Sequence, residues 1–335
     1  MVAISRITIN DIAKQMGISA NTVSKALNGK PKISEELREK VIKTARQMGY
    51  EKNINASRLS QKPIKIGVLI NGYDANYYCY TEKGLKKAAD FLADRKVTVD
   101  VRVIKASKAN AKAFSILNAF RADGCNGVII NDLFTQELLP ILEDYRKAGI
   151  KYAFLNGDFK ESGRSFAMVN DYHCAAGLAA EILCLAVDPN KSFAVYSPLG
   201  FMSPQSELAD AFCQKAKALG QQNICIKETT DALFDTENLG GIYVSHASYL
   251  EVCKCIQERY PKELRPKLVV SDLYADSIPY IEEGTITAII YQEPEEQAFL
   301  TVEKLYELIS EEIPCNDILT IKPLLIMKSN YRKYI

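Results

Sequence analysis

The sequence predicts a small all-α helix-turn-helix headpiece followed by a larger α/β domain of two lobes, built on parallel, doubly wound sheets. Three observations lead there. Residues 7–29, ITINDIAKQMGISANTVSKALNG, carry the start and stop signals of two short helices joined by a tight turn. From Lys65 onward, short apolar runs alternate with amphipathic helical patterns, the rhythm of strand–helix–strand units. Charge is also divided along the chain. Residues 1–62 hold twelve Lys and Arg against five Asp and Glu, and the remainder holds thirty against thirty-six, so a net charge of +1 hides a basic head on an acidic body. A basic head suits a partner rich in phosphate.

Taken in order, Thr8 is placed to cap a first helix, and Asp11, three residues on, to complete a capping box. Ile12, Ala13 and Met16 recur at helical spacing, and Gly17 supplies the left-handed stop. Ser19 caps a second helix, with Ile18 and Val23 spaced for a hydrophobic staple. Val23, Ala26 and Leu27 point inward; Ala20, Asn21, Ser24, Lys25 and Asn28 are left outside, and Asn28-Gly29 ends the helix. In a helix-turn-helix the second helix enters the major groove and its N-terminal residues reach base edges. A third helix follows, capped by Ser34, with Glu35 and Glu36 in the first turn where the dipole favours them. Its inner face is Leu37, Val41, Ala45 and Met48; Gly49 ends it and Tyr50 packs back on the core.

The residues Ile9-x-Asp11-Ile12-Ala13, Gly17-Ile18-Ser19, Thr22-Val23-Ser24 and Leu27-Asn28, continued by Ile33-Ser34, Arg38, Val41 and Gly49-Tyr50, resemble the headpiece of the LacI/GalR family of bacterial transcription regulators. The resemblance implies that Thr8, Ser19 and Asn28 hold phosphates. It gives Asn21 and Lys25 to bases, Ala20 to apolar base contact, and places Thr22 in the same interface. Residues 51–63, EKNINASRLSQKP, read by themselves as a flexible linker between a headpiece of residues 1–50 and a ligand-sensing domain of residues 64–335. The resemblance makes this stretch a hinge helix that forms on DNA and wedges Leu59 into the minor groove beside Arg58. Two departures stand out. The order is Ala56-Ser57-Arg58-Leu59 where the family has Ala-Arg-Ser-Leu, and Lys52 replaces the usual Pro.

The larger domain opens on a buried strand, IKIGVLI (64–70), then a helix over 81–95, a strand over 97–104 and a helix over 110–122. GVIIN (127–131), a helix over 133–149 and KYAFLN (151–156) follow, and the rhythm restarts near residue 166. The second run has helices over 173–187, 203–220, 248–260 and 294–312. Its strands lie over 193–197, 224–229, 242–245, 267–273 and 286–292. The two runs resemble the lobes of a periplasmic-binding-protein-like sensor, which implies chain crossings near 160, 292 and 322. Lobe 1 is then residues 64–160 and 293–321, and lobe 2 residues 161–292 and 322–335.

Ligands of doubly wound sheets bind beyond the carboxyl ends of the strands. The residues just past each strand are NGYDANYYCY (71–80), Asn131-Asp132, Asn156, Ser197, Ser245-His246, Asp272 and Gln292. Ring faces cover C–H surfaces while amides and carboxylates pair with hydroxyls, so the set suits a polyhydroxy compound. Resemblance to sugar-binding members of the fold assigns the effector to Tyr77, Tyr78, Phe234, His246, Asp272 and Gln292, with His246 standing where Asn is usual, and the strand-end positions add Asn131 and Asn156. A His there can make binding pH-dependent. The Arg that many members carry is absent from Gln205-Ser206-Glu207, which favours a neutral ligand, a sugar or sugar derivative.

Other classes fit less well. Nine scattered cysteines, an odd number with no framework spacing, suit a reducing compartment, and Cys253 and Cys255 fall on different faces of a helix. No metal and no cofactor are expected. Two histidines and no nucleophile-elbow, Walker or dinucleotide signature give no reason to expect an enzyme or a catalytic residue. The sequence shows no leader and no run of eighteen apolar residues, so a cytoplasmic protein without membrane contact is expected. The expected function is a transcriptional regulator, a repressor, that binds palindromic operator DNA as a homodimer under control of a small carbohydrate. The alternative is a transport-type sugar-binding protein without a regulatory role.

Overall fold

The structure is a computed structural model that describes residues 7–27, 33–50, 62–72, 75–104, 109–131, 136–197, 203–246, 249–310, 313 and 315–335. The chain divides into two compact units, a headpiece and an α/β unit. Three helices form the headpiece: α1 (Ile9–Met16), α2 (Ala20–Leu27) and α3 (Glu35–Gln47). Their core is Ile12, Ala13, Val23, Ala26, Val41 and Ala45, ringed by half-buried Met16, Ile18, Leu37, Met48 and Tyr50. Three of the six core residues are alanines, so the helices pack closely and bury little area. Ala20, expected outside, is half-buried and packs on this core, because the tight turn draws the first residue of α2 inward.

The α/β unit holds two six-stranded sheets. The first takes β1 (Ile64–Asn71), β2 (Val97–Ile104), β3 (Gly127–Asn131), β4 (Lys151–Leu155), β5 (Phe166–Asn170) and, late in the chain, β11 (Ile318–Ile321), in the order β11-β5-β4-β3-β1-β2. All its pairings are parallel. The second takes β6 (Ser192–Tyr196), β7 (Ile224–Lys227), β8 (Leu239–Val244), β9 (Lys267–Ser271), β10 (Ile286–Tyr291) and β12 (Leu324–Ile326), in the order β12-β10-β9-β8-β6-β7. Only β12 runs antiparallel, against β10.

Helices cover both faces, which is why the central strands read as continuous apolar runs. In lobe 1, Ile66, Val68 and Ile70 pack with Leu85, Ala88 and Leu92 of α4 (Ala75–Leu92) and with Val302 and Leu305 of α12 (Pro294–Ser310). Leu69, Val128 and Ile130 face the other way, onto α5 (Ala109–Ala122) and α6 (Leu139–Lys147). Lobe 2 repeats the plan with α7 (Tyr172–Ala186), α8 (Ser203–Ala218), α9 (Thr230–Phe234), α10 (Tyr249–Arg259) and α11 (Ile278–Glu283).

Several expectations need correction. The chain first leaves lobe 1 at Asp171 rather than near 160, because Phe166–Asn170 pairs in parallel with β4 and belongs to the first sheet. The helix expected from 81 begins at Ala75, so Tyr77 and Tyr78 lie inside it and not on a loop before it. The helix expected from 133 begins at Leu139, after a 3₁₀ turn over Gln136–Leu138, where Pro140 can occupy a first helical turn without losing a hydrogen bond. The strands β11 and β12 and the short helices α9 and α11 are additions. Behind β5, the Arg164 guanidinium is buried and bonds Asp158 and, at 2.6 Å, Asp317, tying the β4–β5 connection to the segment that enters β11.

One close contact positions the start of α12. At Gly84, α4 crosses α12 so tightly that a Cβ would lie 2.0 Å from the Glu295 carbonyl oxygen and 2.9 Å from the Ala298 Cβ. Gly84→Ala must push the two helices apart, and overpacking of this kind costs about 1–3 kcal/mol. Urea denaturation should show the lowered midpoint; an unchanged midpoint would mean that the crossing is not tight.

Candidate functional site

The headpiece presents one helix end free of negative charge. Thr8 and Asp11 close the capping box of α1: the Thr8 N–H donates to Asp11 Oδ2 at 2.8 Å and the Asp11 N–H to Thr8 Oγ1 at 3.4 Å. The Thr8 hydroxyl, which donates to Asp11 Oδ2 at 2.7 Å, and then the Thr8 N–H hold the Asp11 carboxyl below the usual carboxylate range. The first turn of α3 carries Glu35 and Glu36, whereas that of α2 has no acidic residue. Ser19 Oγ accepts from the Thr22 N–H at 3.0 Å and lies 2.8 Å from the Thr22 hydroxyl, so cap and first turn lock each other. Asn21 and Lys25 are exposed, one turn apart on the same face; Thr22 is half-buried. A helix N-terminus with a hydroxyl cap and no acid attracts phosphate. Asn28, Arg58 and Leu59 lie outside the described residues, as does the hinge segment up to residue 61.

In the α/β unit the strand ends supply a buried polar group. Asp272, just past β9, is 5% exposed and Gln292, just past β10, is 8% exposed. They are neighbours because β9 and β10 pair. The Gln292 N–H donates to Asp272 Oδ1 at 3.2 Å and its side-chain amide to Oδ2 at 2.9 Å. Asp272 takes a left-handed backbone, φ 68°, fixed by its own N–H donating to Ile290 O at 3.0 Å and by the Tyr249 hydroxyl donating to its carbonyl at 3.1 Å. Asn156 past β4 and Glu293 are left-handed too, at φ 61° and 52°. Non-glycine residues persist in that region only where surrounding bonds over-determine them, and such positions cluster at ligand sites.

Lobe 1 contributes a row of asparagines. In the sheet order β5-β4-β3-β1, the carboxyl ends carry Asn170, Asn156, Asn131 and Asn71. Asn131 donates to Leu155 O at 3.3 Å, and Asn170 Nδ2 donates to Asn156 Oδ1 at 3.0 Å. Gln297, from α12, donates from one side-chain amide to Asn170 Oδ1 at 2.6 Å and to the Gln292 carbonyl at 2.7 Å. The expected Asn156, Asp272 and Gln292 are thereby joined through two residues that the sequence did not bring forward, while Asn131 bonds the main chain next to Asn156. Asn170 was hidden by the misplaced first crossing. The signal for Gln297 is its position on the buried stripe of α12 with Thr301 and Leu305.

His246, past β8, is 7% exposed and sits edge-on to Tyr196 at the end of β6, ring centroids 4.8 Å apart. Burial pushes its imidazole down to about 4, so it is neutral at pH 7, and the pH dependence expected of it falls outside the neutral range. The aromatics are rearranged. Tyr78 packs on the lobe 1 core and Tyr77 is half-buried beside it, whereas Tyr80 reaches lobe 2 and meets the Tyr274 ring at 6.3 Å. Phe234 is not brought to this group. It is buried in lobe 2 against Tyr260, with the Arg259 guanidinium 4.9 Å from its ring, at the far end of α10 from His246. A cavity of about 460 Å³, lined in part by Asn170, Asp171, His173, Glu207 and Asp210, flanks the first crossing and shares only Asn170 with the strand-end network.

Amides, one paired carboxylate, a neutral imidazole and tyrosine rings can bind hydroxyl groups and C–H faces. Among the described residues no group of three or more His, Cys, Asp or Glu could hold a metal ion, and no helix is long and apolar enough to cross a membrane.

Comparison with known proteins agrees with both units. A periplasmic binding protein domain matches residues 66–313, and the bacterial regulatory proteins of the lacI family match residues 8–53. The chain is similar to a probable HTH-type transcriptional repressor, ExuR, of Bacillus subtilis (strain 168), 28% identical over 49% of this chain and 47% of that one. It is 46% identical to the ribitol operon repressor of Klebsiella aerogenes over 22% of this chain and 28% of that one. The chain spans about half or less of the length of these curated relatives. Among solved structures, a periplasmic solute binding protein from Actinobacillus succinogenes with bound D-allose shares the fold, with TM-score 0.72 and 15% identity over 82% of this chain and all of that one. The chain belongs to the periplasmic binding protein domain family and carries ahead of that domain the helix-turn-helix of the lacI family of bacterial regulatory proteins.

Proposed function

We propose that this protein is a sequence-specific DNA-binding transcriptional regulator, a repressor, whose operator binding is controlled by a small neutral carbohydrate held between the two lobes. The observation that carries the DNA half is the α2 N-terminus: a locked hydroxyl cap, no acidic first turn, and Asn21 and Lys25 exposed on one face. Asn21 can pair bidentately with adenine and Lys25 can reach guanine acceptors, while Thr8 and Ser19 hold phosphates. The relatives named as repressors support this reading over a transport-type binding protein.

The ligand half rests on the strand-end group. Its carboxylate accepts two hydrogen bonds from Gln292, its imidazole is neutral and its asparagines are uncharged, so apart from the Asp272 carboxylate the group offers hydrogen bonds. A ribitol operon repressor among the relatives and bound D-allose in a structural neighbour support a polyhydroxy compound. The contacts are assigned to Asn131, Asn156, His246, Asp272 and Gln292, with Tyr80 and Tyr274 as the aromatic wall in place of Tyr77, Tyr78 and Phe234. The protein acts as a cytoplasmic homodimer on a palindromic site, because one headpiece makes few contacts and protein symmetry mirrors operator symmetry. Ligand and DNA are coupled through residues 51–63, where Leu59 wedges the minor groove. No catalytic step, cofactor or metal enters this function.

Two tests follow. Operator selected from a random duplex pool and titrated by fluorescence anisotropy should lose about 1–3 kcal/mol of affinity with Asn21→Ala or Lys25→Ala, and random duplex much less. Equal losses on both would make these residues phosphate contacts. The second test concerns His246. Its folded-state value of about 4 lies below the ordinary 6.5, so the unfolded chain binds the proton first as pH falls. Its contribution to stability is therefore complete above about 6.5 and declines from there towards 4. His246→Asn should flatten that part of the melting-temperature profile and leave ligand binding between pH 7 and 8 insensitive to pH, as in the parent. A parent profile that His246→Asn leaves unchanged between pH 4 and 6.5 would place the imidazole in solvent.

A further inference from the structure

Three segments carry the chain between the lobes. The first follows Asn170 at the end of β5, the second follows Gln292 past β10, and the third joins Ile321 of β11 to Leu324 of β12. The first and third are joined by backbone, the Asp171 N–H donating to Ile321 O at 3.0 Å. The first and second are joined by one side chain. Gln297 is fully buried, and its Nε2 donates at once to Asn170 Oδ1 and to the Gln292 carbonyl, 2.6 and 2.7 Å away. Both hydrogens of that amide are used, and both acceptors are crossing residues.

An amide is a costly choice there. The same stripe of α12 carries Ala298, Thr301, Val302 and Leu305, all buried, and an apolar side chain would fill it without desolvating a polar group. Gln297 Oε1 has no partner among the described residues, so the amide is not present to satisfy its own oxygen. What it does is join the residue just before one crossing to the residue just before another. From there the bonds branch into both lobes: Asn170 holds Asn156, and Gln292 holds Asp272.

We infer that Gln297 is the clamp of the interlobe crossings and a positioning residue for the strand-end group. It keeps Asn170 and Gln292 in mutual register and so fixes Asn156 against Asp272 across the lobes. The clamp stands on the geometry of the crossings alone; only its effect on a bound carbohydrate rests on the proposed function.

Amide-resolved hydrogen exchange on the full chain, with neither DNA nor sugar added, tests it. Gln297→Met keeps the length and apolar packing but donates nothing. Exchange at the Asp171 and Gln292 amides should rise about tenfold or more, while Ile129 and Val270 in the sheet centres keep their rates. If Gln297→Met does not fold, Gln297→Glu serves. Its protonated acid can donate one bond and its carboxylate none, so protection at the same two amides should fall as pH rises through its titration. Unchanged exchange at Asp171 and Gln292 would overturn the inference, and so would an equal rise in the sheet centres, which would make Gln297 a contributor to global stability only. With no ligand in the sample, failure here leaves the carbohydrate reading standing, and failure of that reading leaves this result intact.

Discussion

Asp272 accepts two hydrogen bonds from one neighbour, the main-chain and side-chain N–H groups of Gln292, and the point at which the chain leaves lobe 2 is built on that pairing. A carboxylate this buried is tolerable only when its oxygens are satisfied. The bonds hold β9 and β10 together beyond their last ladder pair, and they hold Asp272 in a left-handed turn. Gln292 is then the residue from which the chain returns to lobe 1, where Gln297 takes its carbonyl. One buried polar chain therefore runs from a strand end in lobe 2, through the junction, to Asn156 in lobe 1. Hydroxyl groups binding to this chain would act on the same atoms that fix the lobes relative to each other.

The headpiece follows a different physical logic. Its core is six residues, half of them alanine, and such a core supplies little hydrophobic stabilisation. The helix ends matter correspondingly more: the Thr8–Asp11 box, the Ser19–Thr22 pair, Ser34 bonded to the Leu37 N–H, and Gly17 in the left-handed stop. Such caps leave outward positions without a structural task. Asn21 and Lys25 occupy two of them on α2.

This difference also explains what the sequence discloses. Caps and stops are local, so α1 to α3 can be placed from spacing alone, though Ala20 and Ser24, expected outside, are half-buried. Strands buried on both faces announce themselves as apolar runs, and the residues just past them include Asn131, Asn156, His246, Asp272 and Gln292 without further knowledge of the fold. Non-local decisions are harder to read. Residues 166–170 could have joined either sheet, and pairing with β4 made Asn170 part of lobe 1. The tyrosines of 77–80 look like a ligand loop, but α4 begins at Ala75 and divides them: Tyr78 turns to the lobe 1 core and Tyr80 to Tyr274. Phe234 has an aromatic side chain in the right lobe, yet at the wrong end of α10. Gln297 reads as an ordinary polar residue of a helical first turn until the two crossings are seen on either side of it.

The central claim is that carbohydrate and operator act on one equilibrium. Its most direct test is the anisotropy titration of the full chain with its selected operator, with and without saturating D-allose, ribitol or another neutral polyol that raises its melting temperature. The account predicts a change in operator affinity of about 5–150-fold and, by linkage, an equal factor in polyol affinity when operator is present. It also predicts that Asp272→Ala removes the polyol effect while retaining operator binding. An operator affinity indifferent to every stabilising polyol, or a full response in Asp272→Ala, would contradict it.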